Sequence, residues 1–334
     1  MLDSIYIALI AVIVLALAFD FINGFHDTAN AIATCVSTRA MAPRAAVMMA
    51  AVLNFVGALY STGVAKTIAK DIVNPAEVTN YVMIAALVGA IFWNIFTWYF
   101  GIPSSSSHAI IGGIIGAGVA KAGFDILQIS GILKIVAALI FSPLIGMALG
   151  YTIMTILYWI FGDKPHGKVN RGFHRLQMLS AALLSFNHGA NDAQKSMGII
   201  TLALVAAGVQ PSLDVPLWVK LSCAFMMALG TAMGGWRIIR TLGVKIFKLE
   251  PINGFAENLS SSLVIYTATA FPGLHLPVST THIVSGSIMG VGAAKRFSAV
   301  RWGVAQQMLV AWILTIPASA IVAALSYSLI IWLF

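Results

Sequence analysis

Long apolar runs follow one another along almost the whole of this sequence, and several reach the roughly 20 residues that a helix needs to cross a bilayer. Only 9% of the residues are charged and the mean hydropathy is +0.93, whereas a soluble domain carries roughly 25% charged residues. The sequence therefore predicts an all-α polytopic membrane protein with about 10–12 membrane segments. The runs lie at about residues 5–22, 45–65, 81–100, 131–161, 197–209, 217–236, 256–271 and 302–334.

The basic residues indicate how such a chain is oriented. The formal net charge is +8, but the basic residues are not interleaved with aromatic residues and fall mostly between apolar runs, so we predict no nucleic-acid partner. Cytoplasmic loops of membrane proteins carry an excess of Lys and Arg, and we expect four basic loops to face the cytoplasm. They contain Arg39 and Arg44; Lys164, Lys168, Arg171 and Arg175; Arg237, Arg240, Lys245 and Lys248; and Lys295, Arg296 and Arg301.

One polar motif occurs twice. Residues 103–108 read Pro-Ser-Ser-Ser-Ser-His and residues 277–282 read Pro-Val-Ser-Thr-Thr-His, and both run into glycine-rich apolar sequence that ends at Lys121 and Lys295. The two copies align over this length without a gap. We name them block B and block B′.

A second duplicated motif precedes each of these blocks. Residues 23–30, Asn-Gly-Phe-His-Asp-Thr-Ala-Asn, resemble residues 188–195, His-Gly-Ala-Asn-Asp-Ala-Gln-Lys, when Asp27 is aligned with Asp192. We name these segments block A and block A′. The order A, B, A′, B′ predicts a chain made of two repeats.

Equivalent loops of the two repeats carry opposite charge bias. The loop at 39–44 is basic whereas its counterpart at 209–216 is not, and the next pair, 66–80 and 236–250, has the reverse bias. This pattern is typical of inverted-topology repeats related by an axis in the membrane plane, in which broken or re-entrant half-helices form the binding site. We expect residues 1–161 to form the first transmembrane repeat, residues 162–172 a cytoplasmic linker and residues 173–334 the second, inverted repeat, with both termini outside.

Blocks A and A′ hold the main acids within apolar sequence, Asp27 and Asp192. A charge at the centre of a membrane helix costs roughly 2.5–3.5 kcal/mol on insertion scales, so such residues tend to be functional. We expect Gly24 and Gly189 to break the helices beside the acids and to free backbone carbonyls. The amides that accompany the two acids are Asn23, Asn30, Asn187 and Asn191.

Carboxylate, amide and carbonyl oxygens together suit a small alkali or alkaline-earth cation, and a proton is the alternative occupant. The sequence also allows a structural interpretation, in which the acids are buried against a basic partner. His26, His188 and Lys195 are the partners available for that role, and Lys195 is also a possible residue of the site.

The residue pattern of block B predicts an anion-binding site. Proline ends the preceding helix, and the apolar segment after the hydroxyl residues predicts a helix of roughly 14 residues, too short to span the bilayer. The hydroxyls then lie at a helix N-terminus, whose free N–H groups and positive dipole bind a tetrahedral oxyanion without a buried cation. The alternative is that the hydroxyls merely cap a re-entrant helix. The candidate donors are Ser105, Ser106, Ser107, Ser279, Thr280 and Thr281.

Three further residues are candidates for the same site. His108 and His282 directly follow the hydroxyls and either contact or gate the anion, or are hydrogen-bonding residues of the fold. Glu257 begins an apolar run in the second half and is either a boundary residue or a third acid near the cation path.

Blocks A, A′ and B′ resemble the signatures of the inorganic phosphate transporter (PiT) family, in the right order along the chain. The resemblance implies secondary active uptake of inorganic phosphate driven by Na⁺ or H⁺, an inverted-repeat fold in the cell membrane, and assembly as a homodimer. It also implies that the A-block Asp and Asn residues help to bind the coupling cation while the B-block hydroxyls hold phosphate. One departure, Phe25-His26 where the second copy has Ala190-Asn191, predicts unequal cation binding by the two halves.

Other functions remain open at this point. A carrier of the same architecture for sulfate or a metal–phosphate complex fits the hydroxyls equally well, and a passive anion channel differs only in lacking ion coupling. An intramembrane hydrolase is disfavoured because no Gly-x-Ser-x-Gly elbow occurs, so we predict that the protein is neither an enzyme nor dependent on a cofactor. Moving one charge across the membrane against the potential costs roughly 2.3 kcal/mol per 100 mV. Import of a phosphate dianion against a negative interior therefore favours at least two coupling ions.

Overall fold

The computed structural model describes residues 2–74, 77–271 and 273–333, without the side chains of residues 2–4 and 166. Residues 75–76 of the predicted outer loop, Pro272 and the two terminal residues lie outside the described residues. The described chain is helical and contains no strand, which confirms the predicted class. Its helices are α1 Leu2–Ser37, α2 Pro43–Ala58, α3 Gly63–Asp71, α4 Asn80–Phe100, α5 Ser106–Ala122, α6 Ile129–Phe161, α7 His166–Ala206, α8 Leu217–Met233, α9 Trp236–Arg240, α10 Pro251–Ala270, α11 Thr280–Lys295 and α12 Trp302–Leu333.

Four described helices are long and apolar enough to cross a membrane: α1 from Ile5, α4, α6 and α12. Two bent pairs, α2 with α3 at 68° and α8 with the segment Trp236–Lys245 at 59°, raise the number of candidate spans to six. The break between α8 and α9 falls at Gly234, whose φ of +73° lies in the left-handed region that glycine adopts freely. The predicted number of 10–12 membrane segments is larger because it also counts short helices, such as α5 and α11, and helices that carry a polar motif, such as α7.

The two halves contain the same elements in the same order. Each begins with a long helix that carries block A or A′, continues through a bent helix pair and a further helix, and reaches a short helix that begins in block B or B′. Each ends with a long helix that contains an internal proline, Pro143 in α6 and Pro317 in α12. The packing is reciprocal as well, since α2 lies on α7 while α8 lies on α1.

Helices α1 and α7 pack antiparallel. Asn23 of α1 donates a hydrogen bond to Asp192 of α7 over 3.2 Å, and Asp27, further along α1, lies near His188, which comes earlier in α7. The motif alignment sets Asn23 on His188 and Asp27 on Asp192. Superposing one half on the other therefore turns the Asn23–Asp192 pair into the His188–Asp27 pair, and the reverse. An inverted repeat requires this arrangement of equivalent helices.

The two short helices are exchanged between the halves. Helix α5 of the first half packs on α12 of the second, and α11 packs on α6. Glycines make both contacts possible: a Cβ at Gly112 would lie 2.5 Å from a backbone oxygen of α12, and a Cβ at Gly286 would lie 2.2 Å from the carbonyl oxygen of Pro143. These glycines therefore allow the backbones to pack closely, as small residues do between membrane helices.

The predicted helix breaks in the A blocks are wrong, because α1 and α7 run unbroken through Gly24 and Gly189. Both glycines instead admit a neighbouring backbone: a Cβ would lie 2.4 Å from the Met227 carbonyl oxygen at Gly24 and 2.2 Å from the Asn54 carbonyl oxygen at Gly189. The half-helices are 17 and 16 residues long rather than 14, since they begin within the hydroxyl runs. Residues 166–172 of the predicted linker belong to α7.

Candidate functional site

The first hydroxyl of each B block caps its helix. Ser105 Oγ accepts the His108 backbone N–H over 3.1 Å, and Ser279 Oγ accepts the His282 N–H over 3.2 Å. A serine with extended backbone is a favoured N-cap, and these two caps fix the first turns of α5 and α11. Capping therefore accounts for two of the six candidate hydroxyls.

Two of the remaining hydroxyls donate to the acid of block A. Asp27 accepts hydrogen bonds from Ser106 Oγ over 3.1 Å and from Thr281 Oγ1 over 3.3 Å. The Asn30 amide donates to Thr280 and Thr281 over 3.2 and 2.9 Å. Two helix N-termini, one from each half, thus meet at a single carboxylate, and each of these groups is at most 2% exposed.

One candidate hydroxyl has a different partner. Ser107 Oγ donates over 2.8 Å to the carbonyl oxygen of Val278, within block B′. The Asn191 amide of block A′ donates to the same carbonyl oxygen over 3.1 Å. The backbone of block B′ is therefore tied to both duplicated motifs.

Lys195 supplies a buried positive charge at this point. Its ammonium lies 2.9 Å from Asp192 Oδ1 and donates over 3.1 Å to Ser106 Oγ, and the residue is fully buried. The expectation that the hydroxyls act without a buried cation is wrong, because the antiparallel packing of α7 on α1 turns Lys195 toward α5. Ser106 consequently joins the two carboxylates, since it donates to Asp27 and accepts from Lys195.

The predicted amides divide into two groups. Asn23 and Asn191 donate to the two oxygens of Asp192 over 3.2 and 2.7 Å, whereas Asn187 donates over 3.1 Å to the Ser262 carbonyl on α10. The Asn191 oxygen accepts a hydrogen bond from Thr269, but the buried side-chain oxygens of Asn23 and Asn30 accept none. These two amide oxygens are available to a ligand.

The two acids and one histidine form a cluster that could hold an ion. Asp27, His188 and Asp192 each offer one atom, and these atoms lie within 4.8 Å of one another. Two carboxylates with the free oxygens of Asn23 and Asn30 fit a hard cation. An incoming cation competes there with Lys195 at Asp192, and with His26, whose Nδ1 lies 2.6 Å from Asp27 Oδ1.

The two B-block histidines form an aromatic cluster with Trp312. Their rings pack together with centroids 4.5 Å apart, and the His282 ring stacks on Trp312 at 4.0 Å. Both line a largely apolar cavity of about 700 Å³ between α6 and α12. The side chains of His108 and His282 thus face this cavity, and none of the described hydrogen bonds joins either imidazole ring to the Asp27–Asp192 cluster.

Glu257 is fully buried on α10, so it is not a boundary residue. One of its oxygens accepts a hydrogen bond from Ser261 over 2.9 Å, and its other oxygen has no partner. Its neighbour Asn258 accepts from Thr34 of α1 over 2.9 Å. Glu257 is joined to the Asp27–Asp192 cluster by none of the described hydrogen bonds.

Two buried polar residues near the A blocks were not predicted from the sequence. Asn54 of α2 contacts His188 Nδ1 over 3.0 Å and donates to Thr231 over 2.8 Å, and nothing in its sequence surroundings marks it. Asp20 lies on α1 seven residues before Asp27 and is fully buried, close to Ser196 and Cys223. That seven-residue spacing, which places both acids on one helix face, was a usable signal.

Helices that enclose two carboxylates, a lysine and the N-termini of two short helices define an integral membrane protein with a charged site in its interior. A family model identifies it further. The chain belongs to the phosphate transporter family, whose model matches residues 23–323. It is accordingly a phosphate transporter by family and not an enzyme.

Similar proteins match over the whole chain. It is 53% identical to a probable low-affinity inorganic phosphate transporter of Bacillus subtilis (strain 168), with 100% of both chains covered. A protein with the same description from Rhizobium meliloti (strain 1021) is 49% identical over 96% of this chain and 95% of its own. A solved structure described as the sodium-dependent phosphate transporter superposes with a TM-score of 0.87 and 25% identity, covering 98% of this chain and 100% of that chain.

Proposed function

We propose that the protein imports inorganic phosphate across the cell membrane by cation symport. One observation carries this proposal: the Ser106 hydroxyl donates to Asp27 and accepts from Lys195, which pairs with Asp192. The groups predicted to bind phosphate and those predicted to bind the cation thus belong to one hydrogen-bonded network. A ligand that changes the network at one end changes the binding free energy at the other, which is what coupled transport needs.

For phosphate, we propose that the B-block hydroxyls and the first N–H groups of α5 and α11 are the donors, with Lys195 as the counter-charge. A helix N-terminus favours an oxyanion, and an ammonium adds three donors. A phosphate between Ser106 and Lys195 would accept from both and would free the Asp27 and Asp192 carboxylates to hold a cation. The proposed set is Ser105, Ser106, Ser107, Ser279, Thr280, Thr281 and Lys195, with His108 and His282 packed behind it.

For the coupling ion, we propose Na⁺ at Asp27 and Asp192, with the free amide oxygens of Asn23 and Asn30. The similarity to a sodium-dependent phosphate transporter supports Na⁺ over H⁺, as does a donor set made of oxygens. His26 lies against Asp27 in the first half, while its counterpart Asn191 donates to Asp192 in the second. The two halves therefore contribute unequally to the cation site.

For the transport cycle, we propose alternating access, in which one half moves against the other around the fixed site. The reciprocal packing of the halves and the antiparallel α1 and α7 support this cycle. We further propose a homodimer in the cell membrane with both termini outside and the segment at 162–172 in the cytoplasm. The basic residues of that segment support this orientation.

Uptake by proteoliposomes tests the proposal. Purified protein should accumulate labelled phosphate when an inward Na⁺ gradient is imposed, and an ionophore that dissipates the gradient should abolish the accumulation. Excess sulfate should not compete. Uptake that follows only an imposed H⁺ gradient would replace Na⁺ by H⁺, gradient-independent equilibration would indicate a passive channel, and sulfate competition would assign a broader anion carrier.

A surface variant provides the matched control for carboxylate substitutions. Asp214 accepts a hydrogen bond from Lys66 over 2.6 Å, which lowers the pKa of its carboxyl, and both side chains are exposed. Asp214→Asn removes one charge as Asp27→Asn does, but at the protein surface. We expect Asp27→Asn to abolish Na⁺-driven accumulation and Asp214→Asn to retain it.

A further inference from the structure

The segment that joins the two halves carries four regularly spaced basic side chains. Lys164 precedes α7, and Lys168, Arg171 and Arg175 lie on its first turns at the spacing of a single helix face. All four side chains are exposed, and the salt bridges of the described residues include none of them. We name these four residues the basic stripe.

The acids near the basic stripe do not neutralise it. Glu250 contacts this part of α7 by accepting a hydrogen bond from Asn170 over 3.3 Å, but its carboxylate also lies 3.5 Å from the Lys295 ammonium. Asp163 is the single acid among residues 162–175, against the four basic residues. The basic stripe therefore has positive charge available for an anion from outside the chain.

Two adjoining cavities lie along the basic stripe. One, of about 400 Å³, is lined by Lys168, Arg171 and Arg175. The other, of about 470 Å³, is lined by Lys164 and Lys168 and by several apolar side chains. We name the two cavities together the groove. A groove that is cationic in one part and apolar in the other suits an amphiphile better than a free ion. Its apolar lining is Phe161, Pro165, Val169, Phe173 and Leu176.

Exposed leucines continue from the groove along α7. Leu176, Leu179 and Leu183 are 44%, 69% and 45% exposed, and they share one helix face. This face adjoins the basic stripe, because Leu179 follows Arg175 by one helical turn. From Arg175 to Leu183 the helix rises about 12 Å, and one leaflet of the hydrocarbon core is about 15 Å deep. The leucine face thus has the length of an acyl chain region below a headgroup at the basic stripe.

We propose that the groove binds an anionic phospholipid of the cytoplasmic leaflet. The lipid phosphate would accept hydrogen bonds from the basic stripe, in which the guanidinium groups can each donate two in parallel, and an acyl chain would lie along the leucine face. Anionic lipids are attracted to basic clusters beside membrane helices. This inference does not depend on symport, and the choice of leaflet follows from the proposed orientation. The lipid would hold the junction between the two halves at the membrane surface.

Lipid binding to the purified, delipidated protein in a neutral detergent tests the site. The probe is dioleoyl phosphatidylglycerol, and dioleoyl phosphatidylcholine, which has the same chains but no net charge, is the reference. The triple variant Lys168→Gln, Arg171→Gln, Arg175→Gln should bind phosphatidylglycerol about 100-fold more weakly, at roughly fivefold for each charge removed. Binding of phosphatidylcholine should not change. Because the three side chains are exposed, the melting temperature without lipid should also stay the same.

A second triple variant is the matched control. Arg240→Gln, Lys245→Gln, Lys248→Gln removes the same charge from another basic loop of the predicted cytoplasmic face, and these exposed residues line neither cavity of the groove. It should keep the phosphatidylglycerol affinity within about twofold.

Leu179→Gln separates the acyl contact from the charge. It retains every basic residue and should weaken phosphatidylglycerol binding about fivefold, because it removes apolar surface from the leucine face. Excess inorganic phosphate should not displace the lipid. Displacement by inorganic phosphate, with no effect of Leu179→Gln, would assign the groove to a free anion. An equal loss in the control triple variant would show only general attraction to a basic surface, and either result overturns the lipid site, whatever the uptake assay shows.

Discussion

The imidazole rings of His108 and His282 pack against each other with their centroids 4.5 Å apart, although they come from opposite halves of the chain. The two residues occupy equivalent positions in blocks B and B′. Equivalent residues of two related halves touch only where the relating axis passes between them. An axis that relates the two halves would therefore run through this histidine pair, which directly follows the hydroxyls at the N-termini of α5 and α11.

The histidine pair should act in packing rather than in phosphate binding. Because the rings face the cavity between α6 and α12, His108→Phe and His282→Phe preserve the ring contact and should change the phosphate KM by no more than about threefold. His282→Ala removes the ring that stacks on Trp312 and should lower the melting temperature. A large rise in KM for both Phe variants would move the histidines into the phosphate site.

Two neighbouring hydroxyls should have separable effects. Ser279 accepts the His282 N–H as an N-cap, so Ser279→Ala should cost about 1 kcal/mol of stability in addition to the loss of a proposed phosphate donor. Thr280 has no capping role, and Thr280→Ala should raise the phosphate KM roughly tenfold or more, since a hydrogen bond to a charged group contributes about 1.5–3 kcal/mol. Melting temperature and uptake kinetics measured on both variants distinguish the roles, and identical profiles would contradict this division.

The Lys195–Asp192 pair should show strong coupling. Lys195→Met leaves Asp192 buried without its cation, and breaking a buried pair from one side costs about 3–5 kcal/mol. The double variant with Asp192→Asn should recover much of that stability but no Na⁺-driven uptake. A double-mutant cycle on unfolding free energy measures the coupling, and additive effects would show that the pair is not linked.

Close packing of the exchanged helices should be sensitive to a single methyl group. A Cβ at Gly286 would lie 2.2 Å from the Pro143 carbonyl oxygen, and forcing extra volume into a packed interface costs about 1–3 kcal/mol. We expect Gly286→Ala to lower the melting temperature and slow uptake. Gly172→Ala, with nothing within 4 Å of its Cβ position, is the control and should be neutral or mildly stabilising.

Much of the fold could be predicted because it depends on apolar length and on duplication. The two B blocks indicated short helices that begin at hydroxyls, and α5 and α11 begin there. The exchange of these helices between halves could not be predicted, because the glycine spacing indicates a close neighbour without saying which one. The unbroken helices at Gly24 and Gly189 were missed for the same reason, since glycine serves both for kinks and for contacts.

The candidate site was predicted in its residue types but not in its pairings. Asp27 and Asp192 come together as their duplicated motifs suggest. Lys195 was predicted as a structural partner or a possible site residue, but its contact with Ser106 was not predicted, because its direction depends on how α7 faces α5. Asn54 contacts His188 from a helix whose other buried residues are apolar, and only tertiary packing reveals that contact.

The exchange of α5 and α11 also sets the order of events during synthesis. About 180 residues separate the end of α5 from the start of α12, the helix against which Gly112 and Gly116 pack. At about 5–20 residues per second, α5 remains without its partner for roughly 10–40 s after it leaves the ribosome. The first half therefore cannot mature by itself, and a nascent chain stalled before Trp302 should be held by chaperones or insertion factors and be cleared by membrane proteases.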